Sequence, residues 1–261
     1  MTITSNKAQS NPVALFVSDV HLQASLPRTT EAFLRFLDRH AIAAQQLYVL
    51  GDLFEYWAGD DDLDTPYHRK IVEAIRVVHD KGVAVYWVGG NRDFLIGSRF
   101  AEAAGMTILD EPFVTQIAEQ RVVLLHGDAQ CTDDKAYMDF RRMVRAQEWQ
   151  HQFLAMPLAQ RKTIIDSMRT GSRDAQRNKA YEIMDVNSAA IDAVFESTQA
   201  SLMIHGHTHR PASHMHVVGG TQRIRHVLPD WDCDAEPSRG GWIGLYPDGS
   251  AQRFGVDGQP L

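Results

Sequence analysis

Apolar residues recur along this chain in two rhythms. Short runs come first: Val13–Val17, Leu47–Leu50 and Val83–Val88, each flanked by polar or glycine-rich segments. Runs of that length predict buried strands. Between them the apolar positions fall at helical spacing, with Phe33, Phe36 and Leu37 in 28–40 and Ile71, Val72, Ile75 and Val78 in 65–80. A short helix is expected at 98–104. This alternation predicts an α/β domain. An antiparallel pair follows near 113–118 and 121–126. The stretch 201–255 is strand-rich, with a strand at 202–204. A Pro247-Asp248-Gly249 turn there joins 241–246 to 251–255.

Residues 135–180 break the alternation. Tyr137, Phe140, Met143 and Val144, then Phe153, Leu154, Met156 and Leu158, then Ile164, Ile165 and Met168 read as helical, with Gly171-Ser172 interrupting the pattern. The expected organisation is one domain over 1–261, with 135–180 as a helical lid inserted into it.

Composition narrows the class. The chain has 261 residues and 44% hydrophobic content, enough for a substantial core. No run approaches ~18 apolar residues, so no spanning helix is expected. The polar start predicts a mobile tail over 1–11 and shows no secretory signal. Cys131 and Cys233 are then read as free thiols in a reducing compartment. A net charge of −7 argues against a nucleic-acid binder. The charge is uneven: residues 141–179 hold nine Arg or Lys against three Asp or Glu, a local +6, which leaves −13 on the remainder. A basic island in an acidic protein predicts a specific anionic partner.

The strand ends carry the chemistry. The first strand runs into Asp19 and His21, the second into Asp52, and the third into Asn91 and Arg92. The strand at 121–126 delivers His126, and 202–204 leads to His207 and His209. Ligands beyond strand C-termini are the usual arrangement of open α/β sheets. Residues two apart in an extended segment share a face, which pairs Asp19 with His21 and His207 with His209. Taken singly, each is ordinary: a strand-end Asp is most often a cap or turn residue. Together they form a carboxylate, imidazole and amide set suited to Mn²⁺, Mg²⁺, Fe or Zn²⁺.

These motifs resemble the calcineurin-like metallophosphoesterase superfamily from about residue 13 to 215. The resemblance implies a four-layer α/β/β/α sandwich holding two metals. Asp52 would bridge them, Asp19, His21 and His209 would complete one site, and Asn91, His126 and His207 the other. Many members place a histidine after the asparagine as a general acid; here the residue is Arg92. Arginine donates no proton at neutral pH, but its fork suits phosphate oxygens. A leaving group that needs no protonation fits this change, which favours a diphosphate bond over a simple monoester.

Longer motifs narrow the likeness. Gly90-Asn91-Arg92-Asp93-Phe94, His126 to Asp134 with Tyr137, Phe140 and Arg141, Ile183 to Asn187, and Gly206 to Pro211 resemble the UDP-2,3-diacylglucosamine diphosphatases of lipid A biosynthesis. That resemblance implies Mn²⁺-dependent hydrolysis of UDP-2,3-diacylglucosamine to UMP and 2,3-diacylglucosamine 1-phosphate, with water attacking the α-phosphorus. It implies catalytic roles for Asp52, Asn91, Arg92 and His207. Asn91, Arg92, Asp134, Ser172, Gln176, Lys179 and His207 would face the sugar and phosphates. Gln176 departs from the asparagine common at its position. Asp93 and Asp128 would orient their neighbours. Peripheral attachment to the anionic cytoplasmic face of the inner membrane follows from the lipid substrate and the basic insert.

Two rivals stay open at this level. One is a phosphodiesterase of cyclic nucleotides or soluble diphosphates, which the basic, apolar insert disfavours. The other is a metal-free binding scaffold on the same fold, disfavoured because no ligand position is lost. A nucleophilic Cys131 lacks a histidine partner in the sequence.

Overall fold

The computed structural model describes residues 11–177 and 185–261, with the side chains of 169–177 excepted. The tail expected over 1–11 therefore lies outside the described residues, apart from Asn11. In chain order, β1 (Ala14–Val17), α1 (Pro27–Arg39), β2 (Gln46–Leu50), α2 (Pro66–Asp80) and β3 (Ala84–Val88) alternate as the pattern predicts. Next come α3 (Ser98–Ala104), β4 (Met106–Leu109), β5 (Phe113–Ile117) and β6 (Gln120–Leu124). Three helices follow: α4 (Lys135–Arg145), α5 (Gln147–Leu154) and α6 (Leu158–Arg177). The chain ends with α7 (Ser188–Thr198), β7 (Leu202–His205), β8 (Ser213–Val218), β9 (Thr221–Val227), β10 (Gly241–Leu245) and β11 (Ala251–Gly255).

The strands form two sheets, ordered β11-β10-β1-β2-β3-β4 and β5-β6-β7-β9-β8. β1 to β4 are mutually parallel, as are β6, β7 and β9. Strand periodicity sorts the core. Leu15, Val17, Leu47 and Val49 face α1 and α2, while Phe16, Tyr48, Leu50 and Val88 face the second sheet. There they meet Leu124, Leu202, Ile204 and Leu228. Val123, Leu125 and Met203 point the other way, onto Ile191 and Phe195 of α7. The layers thus run helix, sheet, sheet, helix, the α/β sandwich that the resemblance implies. Among the described residues no helix is long and apolar enough to cross a membrane.

One expectation fails. Gly171-Ser172 was expected to interrupt the helical pattern, yet α6 runs unbroken through it for 20 residues. A single interior glycine costs only about 1 kcal/mol relative to alanine, which a long helix absorbs.

Arginines tie these helices to the sheet loops. Arg161 of α6 is 2% exposed and donates to Ala58 C=O, to Asp61 and, at 3.0 Å, to Met156 C=O. Lys162 reaches Asp62 at 2.6 Å. Arg145 of α4 donates to Gly89 and Gly90 C=O at 3.1 and 2.9 Å and lies over the Phe94 ring. Arg161→Met leaves two inward carbonyls without their donor. We expect it to destabilise the fold by about 2–4 kcal/mol in urea unfolding. An unchanged midpoint would show that Arg161 carries no structural load.

Candidate metal centre

The C-terminal ends of β1, β2, β3, β6 and β7 converge, and the loops that leave them interlock. Asp19 N–H donates to Gly51 C=O at 3.1 Å, His21 N–H to Asp52 C=O at 3.0 Å, and Gly206 N–H to His126 C=O at 2.9 Å. The loops turn so sharply that Asp19, His21, Asp52, His207 and His209 all have positive φ, between 51° and 66°. Asp and His are among the few non-glycine types that tolerate this region, and backbone strain of this kind concentrates at functional sites. Where even a methyl group would not fit, glycine stands. A Cβ on Gly90 would lie 2.2 Å from Asp52 N and Oδ1, and one on Gly206 2.2 Å from Asp19 Oδ2 and Ser18 Oγ.

All seven predicted ligands come together. His21 Nε2 lies 3.3 Å from His209 Nε2, which lies 3.4 Å from Asp19 Oδ1. His126 Nε2 and His207 Nδ1 lie 2.9 and 2.8 Å from Asn91 Oδ1. Asp52 sits between the two groups, with Oδ2 4.0 Å from His21 Nε2 and Oδ1 3.7 Å from His126 Nε2. One oxygen toward each group is the disposition that a shared carboxylate needs. Asp19 also belongs to both groups: its carboxylate lies within 4.8 Å of donor atoms of His21 and His209, and of Asp52 and His126.

Two observations test whether these residues fit a cation. Asp19 Oδ1 is buried without a hydrogen bond, whereas Oδ2 accepts from Ser18 Oγ and His207 N–H. An anionic oxygen left so in a protein interior is costly unless a positive charge meets it. The cluster's field also favours positive charge. Burial alone would depress His126, yet Asp52 and Asp19 outweigh it and hold the imidazole up at about 9. Burial raises Asp19, but His209, His126 and His21 hold its carboxyl far below the usual range. His207, penalised by burial and by the His126 charge, falls to about 4. The donor set fits divalent metal.

Carboxylates orient the ligands from behind. Asp93 accepts from Asp52 N–H, Leu53 N–H and Gly90 N–H at 3.2, 2.8 and 3.0 Å. Burial, then the Asp52 charge, lifts Asp93 to about 6. His126 Nδ1 donates to Leu50 C=O at 2.9 Å, which turns Nε2 toward Asn91 and the candidate metal position. Asp128 takes Tyr137 Oη at 2.6 Å and Arg141 Nε at 2.8 Å, which ties α4 to the His126 loop. Sequence reasoning missed three more. Glu55 lies 3.2 Å from His21 Nδ1, Asp230 lies 3.7 Å from His209 Nδ1, and Glu111 accepts from His126 N–H at 2.7 Å. Only tertiary pairing brings them in, and no spacing in the chain points to them.

The remaining predicted residues divide. Arg92 joins the cluster: its N–H donates to Asp52 Oδ1 at 2.8 Å, and its Nε is buried without a partner. Asp134 is the N-cap of α4, accepting from Tyr137 N–H at 3.1 Å. Ser172 and Gln176 lie on α6 with side chains outside the described residues, and Lys179 lies outside them altogether. Cys131 and Cys233 are buried thiols outside any disulfide, as expected. Burial, then Asp128, pushes the Cys131 thiol up to about 12, so it carries no thiolate nucleophile.

A sequence profile of the calcineurin-like phosphoesterases matches residues 13–211. The UDP-2,3-diacylglucosamine hydrolase of Aromatoleum aromaticum is 47% identical over 93% of this chain and 98% of its own length. Those of Sodalis glossinidius and Escherichia coli O7:K1 are 50% and 48% identical, over 83% and 84% of this chain and 89% and 91% of their own lengths. With its strand-end ligands assembled on the matching segment, the chain belongs to the calcineurin-like phosphoesterases and, within them, to the UDP-2,3-diacylglucosamine hydrolases.

Proposed function

We propose that this hydrolase cleaves the diphosphate of UDP-2,3-diacylglucosamine by water attack at the α-phosphorus, giving UMP and 2,3-diacylglucosamine 1-phosphate. Two Mn²⁺ would be its metals: Asp19, His21 and His209 would hold one, Asn91, His126 and His207 the other, and Asp52 would serve both. They would supply Lewis acidity to a water and to the phosphoryl oxygens. The observation that carries the reading is Arg92 fixed on the cluster. Its backbone is pinned to Asp52 and its buried Nε lacks a partner. A guanidinium there binds phosphoryl oxygens and stabilises charge that builds during attack. Water adds its oxygen to the α-phosphorus, the bond to the bridging oxygen breaks, and UMP keeps the new oxygen. The sugar 1-phosphate leaves as an anion, so no proton donor is required where Arg92 stands.

On this reading the chain is one domain, and the helices of 135–180 form its lid. Asp134, Ser172, Gln176 and Lys179 contact sugar and phosphates together with Asn91, Arg92 and His207. Arg141, Arg142 and Arg145 of α4 line a cavity of about 330 Å³, and Phe140, Met143 and Leu154 are exposed on α4 and α5. Such a basic and apolar surface suits a lipid-linked diphosphate and peripheral contact with the anionic cytoplasmic face of the inner membrane. Each buried acyl methylene contributes ~0.8 kcal/mol.

Product analysis by mass spectrometry in ¹⁸O-water, with Mn²⁺ and detergent-dispersed substrate, tests the proposal. Labelled UMP with unlabelled lipid monophosphate is expected. Label on the lipid phosphate would overturn attack at the α-phosphorus. Equal activity on acyl-free UDP-sugars would move the substrate to soluble diphosphates.

A further inference from the structure

Behind the turn that carries His207 and His209 runs a chain of polar side chains, buried at His205 and Arg225 and opening to the surface at Asp192. Gly206 C=O accepts from Thr208 N–H at 2.8 Å and from His205 Nδ1 at 2.9 Å. The first bond closes a three-residue turn about His207, whose φ is +66°. Such turns with positive φ at the centre are rare and strained. The second bond therefore falls on the very carbonyl that closes the strained turn.

His205 ends β7 and is fully buried. Because its Nδ1 donates to a carbonyl, its Nε2 can only accept. Arg225 of β9 supplies the matching donor: Nη1 lies 2.9 Å from that Nε2. The register of β7 on β9 sets Arg225 opposite Met203, on the same sheet face as His205. Arg225 Nε donates to His216 Nε2 at 3.2 Å, and His216 Nδ1 meets Asp192 Oδ1 of α7 at 2.9 Å. A guanidinium has no acceptor, so it dictates the proton position on both imidazoles. Each joint then has one donor and one acceptor, from the Asp192 carboxylate to the Gly206 carbonyl.

Arg225 is only 8% exposed, a buried cation whose guanidinium meets two imidazoles, with the Asp185 carboxylate near enough to act on it electrostatically. Packing α7 on the sheet needs no such residue, since apolar side chains of similar volume serve as well or better. We propose that Arg225, acting through His205, is a positioning residue for the turn that presents His207 and His209. It fixes His205 as the Nδ1–H tautomer, which holds the Gly206 carbonyl and with it the spacing of the two imidazoles. The assignment deepens the metal reading and rests on it for its functional consequence.

The tautomer is readable without metal. Ring ¹⁵N chemical shifts of the metal-free protein should show His205 as Nδ1–H in the wild type and mixed in Arg225→Met. In Mn²⁺ titrations, Arg225→Met and His205→Leu should weaken binding on the order of 10–100-fold. His205→Asn, whose amide can donate from near the Nδ1 position, should recover most of that loss, with KM little changed. An Nε2–H tautomer in the wild type overturns the proposal, as does Arg225→Met binding Mn²⁺ like the wild type. Failure of the wild type to bind Mn²⁺ overturns the metal reading instead, and the ring shifts still decide the chain.

Discussion

Asp52→Asn should lower turnover more than a hundredfold while the protein stays folded. The side chain is 3% exposed and lies between the two histidine groups, one oxygen toward each. Asparagine keeps the shape and can still accept the Arg92 N–H bond at Oδ1. Its backbone stays fixed by Asp93. What disappears is one negative charge and one acceptor oxygen, at the position where the proposed two-metal centre would share a ligand. Turnover at saturating Mn²⁺, read beside metal stoichiometry and far-UV circular dichroism, checks this. Near-normal turnover with metal bound would remove Asp52 from the shared position.

Gly206→Ala should be nearly as severe, for a steric reason. The added methyl would sit 2.2 Å from Asp19 Oδ2 and Ser18 Oγ, and both are buried with no room to retreat. Either the β7 loop shifts, carrying His207 and His209 with it, or Asp19 does. Both moves break the bond from His207 N–H to Asp19 Oδ2. Overpacking of this kind costs about 1–3 kcal/mol of stability. The larger effect is on chemistry, because a displacement of about 1 Å at a reacting centre can cost on the order of a hundredfold in rate. Metal affinity and kcat should fall together. Wild-type affinity in a folded Gly206→Ala protein would show that the loop yields to the methyl without moving the two histidines.

The alternation of β1 to β3 with α1 and α2 was readable because each is an uninterrupted local pattern. β4 was not: Met106–Leu109 buries only Met106 fully, so its signal is one residue deep. α7 was missed for a similar reason, since its buried apolar residues are Ile191 and Phe195 alone. Its Asn187 N-cap, accepting from Ala190 N–H, was the available clue. α6 passed through Gly171 because one interior glycine costs a long helix only about 1 kcal/mol, too little to end it. The candidate metal ligands, and Asp93 and Asp128 beside them, were legible as short motifs at strand ends. The more distant supports were not. Glu111, Asp230 and Arg225 reach His126, His209 and His205 only after β-sheet pairing has set the neighbours.

The positive φ angles at five of the seven candidate ligands have an evolutionary consequence. Glycine at any of them would relax the backbone and at the same time delete a side chain of the centre. Laboratory selection for heat tolerance alone is blind to that loss and can erase the centre. Stabilised versions of this chain need to be sought with activity screened in the same step.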